Sequence, residues 1–407
     1  MTGRFSTEGP LKERYQVVVV GGGVNGLGVA RHLALAGVTD VLVLEKSYLL
    51  HGASGRNGGG VRAQWGTMDN LVLARDSIPM FRHMSAELGF NVWFRQGGYL
   101  FLAHDEEKAK ALADVVRFHN ANGVNSRLVD PTEAHVLVPD LNAQGVVAAS
   151  YHPGDGIIFP WAVVQGLAKR CVELGVDVRT FTGATGFAMK GGRIVGVETT
   201  RGRVHGDSRG QDGSGSVRVE CETVVNAAGC WSREVAALAG VALPNTPVRH
   251  EILVTEALKP FLDPMLVDLR NGLYCSQDMR GELVCGIGMP GEKPGVSFAS
   301  SFAFTKRVAS ALLDVLPSVG DVKVMRQWAG AYDVTPDNKP ILGPSPGVEN
   351  LVQLNGASGH GFMISPMTTR IVADVILGRK PPVDLAPYRL DRFGPGWQPE
   401  PETLVIG

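Results

Sequence analysis

Apolar runs separated by glycine set the pattern at the start of the chain. Residues 16–20 (QVVVV) form a β-branched run of the kind buried in a parallel sheet. Glycines follow at once, then the amphipathic stretch VARHLALAG, which ends at Gly37. VLVLEK (41–46) is a second buried strand, so this opening predicts a βαβ unit. The Gly-rich segment 51–66 has no clear period and is expected as loop or helix start. Helical periodicity covers 67–89, 105–122, 161–174 and 302–316, and strands are predicted over 193–204 and 217–229. Between those strands, GDSRGQDGSGS (206–216) is expected as a mobile polar loop. Several short strands in 246–288 (VRHEILVT, NGLYCSQ, GELVCGIG) predict an antiparallel sheet separate from the opening unit. The Pro-rich stretch from Pro381 is expected as an arm on a surface. The first 14 residues carry no pattern and are expected to be disordered or variable.

Composition narrows the class. Hydrophobic residues make up 44% and charged residues 19% of the 407, which suits a large core and two or three structural units. With 39 basic against 40 acidic residues, there is no basic field for nucleic acid. The 52 glycines imply tight turns or close backbone approaches to a ligand. Five scattered cysteines without a C-x-x-C pair predict reduced buried thiols, no zinc site and no other metal site. No secretory h-region and no apolar run near the ~20 residues of a membrane span is visible. The expectation is a cytoplasmic protein, with peripheral membrane association left open.

The motif that carries chemistry is Gly21-Gly22-Gly23-Val24-Asn25-Gly26, a G-x-G-x-x-G between a strand and a helix. In such a turn Gly21 makes the bend, Gly23 lets the backbone approach a pyrophosphate and Gly26 lets helix and strand pack closely. The helix N-terminus then receives the diphosphate. Glu45 ends the second strand, placed to accept from ribose hydroxyls. A late strand ending in small residues, VVNAAGCWS (224–232), returns to the same place and favours the long dinucleotide FAD over NAD.

On VVVVGGGVNG, VVNAAGCWS, WAGAYDVTPDNKPILG and NGASGHGFMISP, the chain resembles the glycine oxidase/sarcosine oxidase group of FAD-dependent amine oxidoreductases over nearly its whole length. Within that group it is most similar to the β subunits of heteromeric sarcosine oxidases and to related opine and proline dehydrogenase subunits. The resemblance implies an α+β fold like that of p-hydroxybenzoate hydroxylase. A Rossmann-like FAD-binding domain (15–90, 155–245 and 325–380) would carry a mostly antiparallel substrate domain (91–154 and 246–324), with 381–407 as an arm. It implies cofactor contacts from Gly21, Gly23, Val24, Asn25, Gly26, Glu45 and Lys46. Ser54 and Arg56 fall near the diphosphate, Asn57, Gly58 and Gly59 near the ring, and Ala184 near adenine. Ala228, Gly229, Trp231, Gly330, Gly356, Gly359, His360, Gly361, Phe362 and Met363 complete the set. Arg62 falls where a substrate carboxylate is clamped and Tyr274 where a tyrosine lies above the flavin. His360 joins them as a catalytic candidate. The helix after Gly359-His360-Gly361 would aim its N-terminus at the flavin N1–C2=O edge.

Departures from the monomeric oxidases are also informative. Met363 stands in place of a carboxylate-binding lysine, Val284 near the place of an oxygen-activating lysine, and Ala331 in place of a cysteine that attaches FAD. Non-covalent FAD and weak reaction with oxygen are therefore expected. GIIFPWAVV lacks the histidine that binds FMN covalently in heteromeric β subunits, which leaves open a non-covalent FMN shared with a partner subunit. The expected reaction is oxidation of a small-molecule secondary amine bearing a carboxylate, by hydride transfer to flavin N5, to an imine that hydrolyses. Two other readings stay open: a β subunit active only in a heteromeric complex, and an FAD-dependent hydroxylase.

Overall fold

The computed structural model of the chain describes residues 5–201, 216–399, 402 and 404. Most of the polar loop expected at 206–216 lies outside them. The first sheet runs, from one edge, Ile341–Ser345, Val348–Asn355, Val217–Asn226, Arg14–Val20, Val41–Leu44, Asp177–Arg179. Its centre is parallel: Val17 to Val20 lie opposite Val41 to Leu44 on one side and Thr223 to Asn226 on the other. These strands are buried on both faces, which is why they read as continuous apolar runs. The helix Val24–Leu35 crosses over the sheet and packs on Ser365–Ile376 and Pro160–Glu173. An antiparallel hairpin, Thr182–Lys190 with Arg193–Arg201, attaches through Val217–Asn226.

The second sheet has eight strands in the order Val324–Val334, Thr246–Ala257, Glu282–Gly286, Leu273–Gln277, Met265–Asp268, Tyr99–Ala103, Ala148–His152, Arg127–Val129. It is antiparallel except where Met265–Asp268 meets Tyr99–Ala103. The strand Val324–Val334, expected with the first part, belongs here, paired to Thr246–Ala257. The period-2 alternation of strands sorts side chains between two cores. Leu100, Leu273 and Cys275 face the helix Phe302–Val315, whereas Tyr99, Phe101 and Tyr274 face the other way. That alternation turns Tyr274 toward the nucleotide-binding half.

Of the first 14 residues, expected to be disordered or variable, 1–4 lie outside the described residues and others make specific contacts. Thr7 N–H donates to the Val178 carbonyl at 2.8 Å, and Arg179 donates to the carbonyls of Gly9 and Pro10. These residues are ordered because they satisfy the edge of the first sheet at Asp177–Arg179. In the stretch after Pro381, Tyr388 is buried and its hydroxyl donates to the Asp69 carbonyl at 2.7 Å.

Candidate active site

The glycine turn is sterically specified. Gly21 has φ +115°, and a Cβ there would lie 2.3 Å from the Ala227 carbonyl oxygen. A Cβ on Gly26 would lie 1.9 Å from the Gly21 carbonyl oxygen. Gly23 caps the helix Val24–Leu35 with no side-chain acceptor, and its first turn has no acidic residue. The helix thus places no acidic side chain of its own in the first turn, where an anion would bind. Val24 N–H donates to Ser54 Oγ at 3.0 Å, tying the 53–59 loop to this turn. The Glu45 carboxylate accepts from Gly22 N at 3.0 Å and Ser47 N at 2.8 Å. Burial pushes its pKa up against those two bonds. Lys46 lies 3.5 Å from the centre of the Trp231 ring.

From this turn a cavity of about 500 Å³ extends to the second sheet. Every residue expected to touch cofactor or substrate lines it, from Ala184 at one end to Arg62 and Tyr274 at the other, with one exception. Gly26 sits beneath, against Gly21, in the packing position its spacing predicts. Two of the expected contacts have other work as well. Arg56 donates to the His51 carbonyl at 2.7 Å and the Ala329 carbonyl at 3.0 Å, bridging the loop to the second sheet. Asn57 donates to the Ser54 carbonyl and accepts from Gly59 N, each at 2.9 Å, which folds the loop on itself.

Arg62 is 2% exposed; among the described residues no carboxylate is ion-paired with it, while Glu402 and Asp155 act on its charge from farther off. Its guanidinium donates to the carbonyls of Gln64 and Leu404 and lies 3.9 Å from the centre of the Trp65 ring. Trp65 in turn meets His360 edge-on at 4.3 Å. Burial, then the charge of Arg62, holds His360 well below its ordinary pKa, so it is neutral at pH 7. Opposite stands an aromatic stack in which the expected Tyr274 is joined by two residues not foreseen, His250 and Tyr332. His250 is stacked with Tyr332 at 4.7 Å and with Tyr274 at 5.7 Å, and its Nε2 lies 3.0 Å from the Tyr274 hydroxyl. Burial lowers His250 to about 4 and pushes Tyr274 far up. All three rings are uncharged at neutral pH. No local signal marks His250, because its strand is buried on both faces over His250 to Thr255 and shows no alternation.

Asp333, also missed, lines the cavity and accepts from Gly356 N at 2.7 Å and Asn245 Nδ2 at 2.9 Å. Burial pushes its carboxyl up to about 7 despite those bonds. A raised carboxyl pKa means stability present below the unfolded value and lost as pH rises through about 7. Asp333→Asn is therefore expected to flatten the loss of stability between about pH 4 and pH 7, by an amount on the order of a few kcal/mol. Parallel melting curves for both proteins across that range would refute the assignment.

The glycine cradle, the acid on the second strand and the long cavity fit an extended dinucleotide, and together they define a flavin-type oxidoreductase site. The chain belongs to the family of FAD dependent oxidoreductases, whose model matches residues 16–375. It is 30% identical to the sarcosine oxidase subunit beta of Rhodobacter capsulatus, over 95% of this chain and 90% of that one. The crystal structure of L-proline dehydrogenase from P. horikoshii superposes with a TM-score of 0.86 at 30% identity, covering 94% of this chain and 98% of that one. Glycine oxidase from Geobacillus kaustophilus gives 0.83 at 25% identity, covering 94% and 100%. The cofactor is FAD. No metal-holding cluster, and no helix long and apolar enough to cross a membrane, occurs among the described residues.

Proposed function

We propose that the protein oxidises a secondary amine that carries a carboxylate, such as an N-alkyl amino acid or an imino acid. Arg62 carries this reading: a buried guanidinium, hydrogen-bonded to carbonyls and not directly ion-paired, stands on the wall of the cavity. A planar cation in a dry site selects a planar anion. The names of the relatives, sarcosine oxidase and proline dehydrogenase, point to the same substrate class.

FAD when bound supplies the electron sink, taking the substrate α-hydrogen as hydride and leaving an imine for water to hydrolyse. The chain's own residues bind and orient. Arg62 holds the carboxylate and so fixes the α-carbon relative to the ring plane. The neutral His250, Tyr274 and Tyr332 wall excludes water and offers hydrogen bonds to an uncharged amine. None of these groups is a ready base at pH 7, which suits a substrate bound with its amine unprotonated. The residues expected near the ring include Gly58, where a Cβ would meet Tyr274 at 3.5 Å, Val284 at 3.7 Å and Ile252 at 3.9 Å. Around Gly58 the wall of Tyr274, Val284 and Ile252 carries no lysine to steady a developing superoxide, so reduced enzyme should pass its electrons to another acceptor, such as a partner subunit.

Anaerobic mixing with sarcosine, proline, 4-hydroxyproline and other N-alkyl amino acids, followed by air, tests the reading. Bleaching of the flavin band by one of these, with slow recovery in air, is the expected result. No bleaching by any of them, alone or with a copurifying partner, would end it. Val284→Lys is expected to speed recovery in air by about 10²-fold, the scale of one charge beside a developing anion. Stopped-flow reoxidation checks this.

A further inference from the structure

Glu402 and Leu404, far along the chain from the sheets, reach back to the substrate end of the cavity. The Glu402 carboxylate accepts from Gly66 N at 2.6 Å, Thr67 N at 3.1 Å, the Thr67 hydroxyl at 2.6 Å and Asn70 Nδ2 at 3.3 Å. These donors surround the start of the helix Met68–Leu88, whose own cap residue, Thr67, supplies no side-chain acceptor. A distant carboxylate therefore does the capping, where the helix dipole also favours negative charge. Burial works to raise this carboxyl, yet the donors hold it below the usual range.

Leu404 follows from that anchor. Its N–H donates to Glu402 Oε1 at 3.1 Å, and its carbonyl accepts from Arg62 Nη2 at 2.6 Å. Its side chain is 2% exposed within a cluster that includes Tyr99, Met265 and Val267. Those three residues and Arg62 line the cavity. A guanidinium carries five N–H donors in one plane. The carbonyls of Gln64 and Leu404 fix that plane from two directions and leave donors for an anion.

We propose that Glu402 and Leu404 are positioning residues of the substrate site. Glu402, which also accepts from Leu404 N, is bound to the start of the helix Met68–Leu88. The Leu404 carbonyl sets the orientation of Arg62, and the Leu404 side chain seals the apolar wall around it. The inference rests on Arg62 as the carboxylate clamp. Its physical consequence is selective. A clamp that must be ordered at each binding event weakens capture of the carboxylate, while bound substrate meets an unchanged ring and aromatic wall.

The test uses full-length holoenzyme, with L-proline and sarcosine as carboxylate substrates and prolinol as the analogue without a carboxylate. Glu402→Ala, Glu402→Gln, Leu404→Ala and Arg62→Ala are compared, each checked for an unchanged flavin spectrum. Glu402→Ala and Leu404→Ala are expected to raise KM for the carboxylates by about tenfold with kcat within about threefold. KM for prolinol should not move, and Glu402→Gln, which keeps an acceptor, should recover part of the loss. Carboxylate KM unchanged in both alanine variants, while Arg62→Ala raises it, overturns the positioning role alone. A fall in KM would mean that the segment obstructs the site, and overturns it too. Unchanged KM in Arg62→Ala, or turnover of neither carboxylate by the unaltered enzyme, removes the reading on which the inference stands.

Discussion

Arg62→Ala should raise KM for a carboxylate-bearing amine by about 10²–10³-fold, because leaving a charge in a dry site without its partner costs about 3–5 kcal/mol. The expectation follows from burial. In water the same pair would be worth about 1 kcal/mol or less, but Arg62 is 2% exposed and faces carbonyl oxygens rather than a carboxylate. The substrate then supplies the missing anion. Arg62→Lys keeps the charge and loses the planar fork, so it should sit between the two. The measurement is the KM of L-proline or sarcosine relative to that of prolinol, in protein whose flavin spectrum matches the parent. A ratio unmoved by Arg62→Ala would take Arg62 out of the site. Because the guanidinium also joins Gln64 to Leu404, some loss of Tm in the alanine variant is expected alongside.

The second large effect concerns the cofactor. Gly26→Ala should yield protein that is isolated largely without flavin. The new methyl would lie 1.9 Å from the Gly21 carbonyl oxygen, a backbone atom that cannot step aside without opening the turn. Gly21 is itself held at φ +115° and donates to the Leu44 carbonyl at 2.8 Å. Shifting it misplaces the helix N-terminus on which the diphosphate rests. Gly37→Ala is a fitting control. That glycine, at φ +94°, has no neighbour within 4 Å of a would-be Cβ, so the change should cost stability but not cofactor. Flavin-to-protein absorbance ratios of the two variants decide the matter. Full flavin content in Gly26→Ala would show that the turn has more play than its contacts allow.

Much of this protein can be read from local pattern, and the reason is physical. A parallel strand buried on both faces must be an apolar run, a diphosphate turn must contain glycines at fixed spacing, and a helix must repeat its apolar face. Residues 16–46 meet all three demands, so the cradle and Glu45 are legible in the amino-acid order itself. The strand LYCSQ is likewise legible among the short strands of 246–288. Which face Tyr274 takes is fixed only when the sheet packs its other side on Phe302–Val315.

What the local pattern cannot carry is anything made by long-range register. The short strand Met265–Asp268 pairs in parallel with Tyr99–Ala103, a partner far away in the chain, and neither leaves a periodic trace of its own. His250 and Tyr332 become neighbours because Thr246–Ala257 lies antiparallel to Val324–Val334. Glu402 becomes a helix cap, and Leu404 a partner of Arg62, through contacts spanning most of the chain. By itself the sequence determined that a flavin nucleotide is held and by which turn. Only the tertiary structure brought His250, Tyr332 and Asp333 to the cavity and decided what holds Arg62 in place. Pairing and packing bring those groups together, and their cost and gain are settled between distant segments rather than within any one of them.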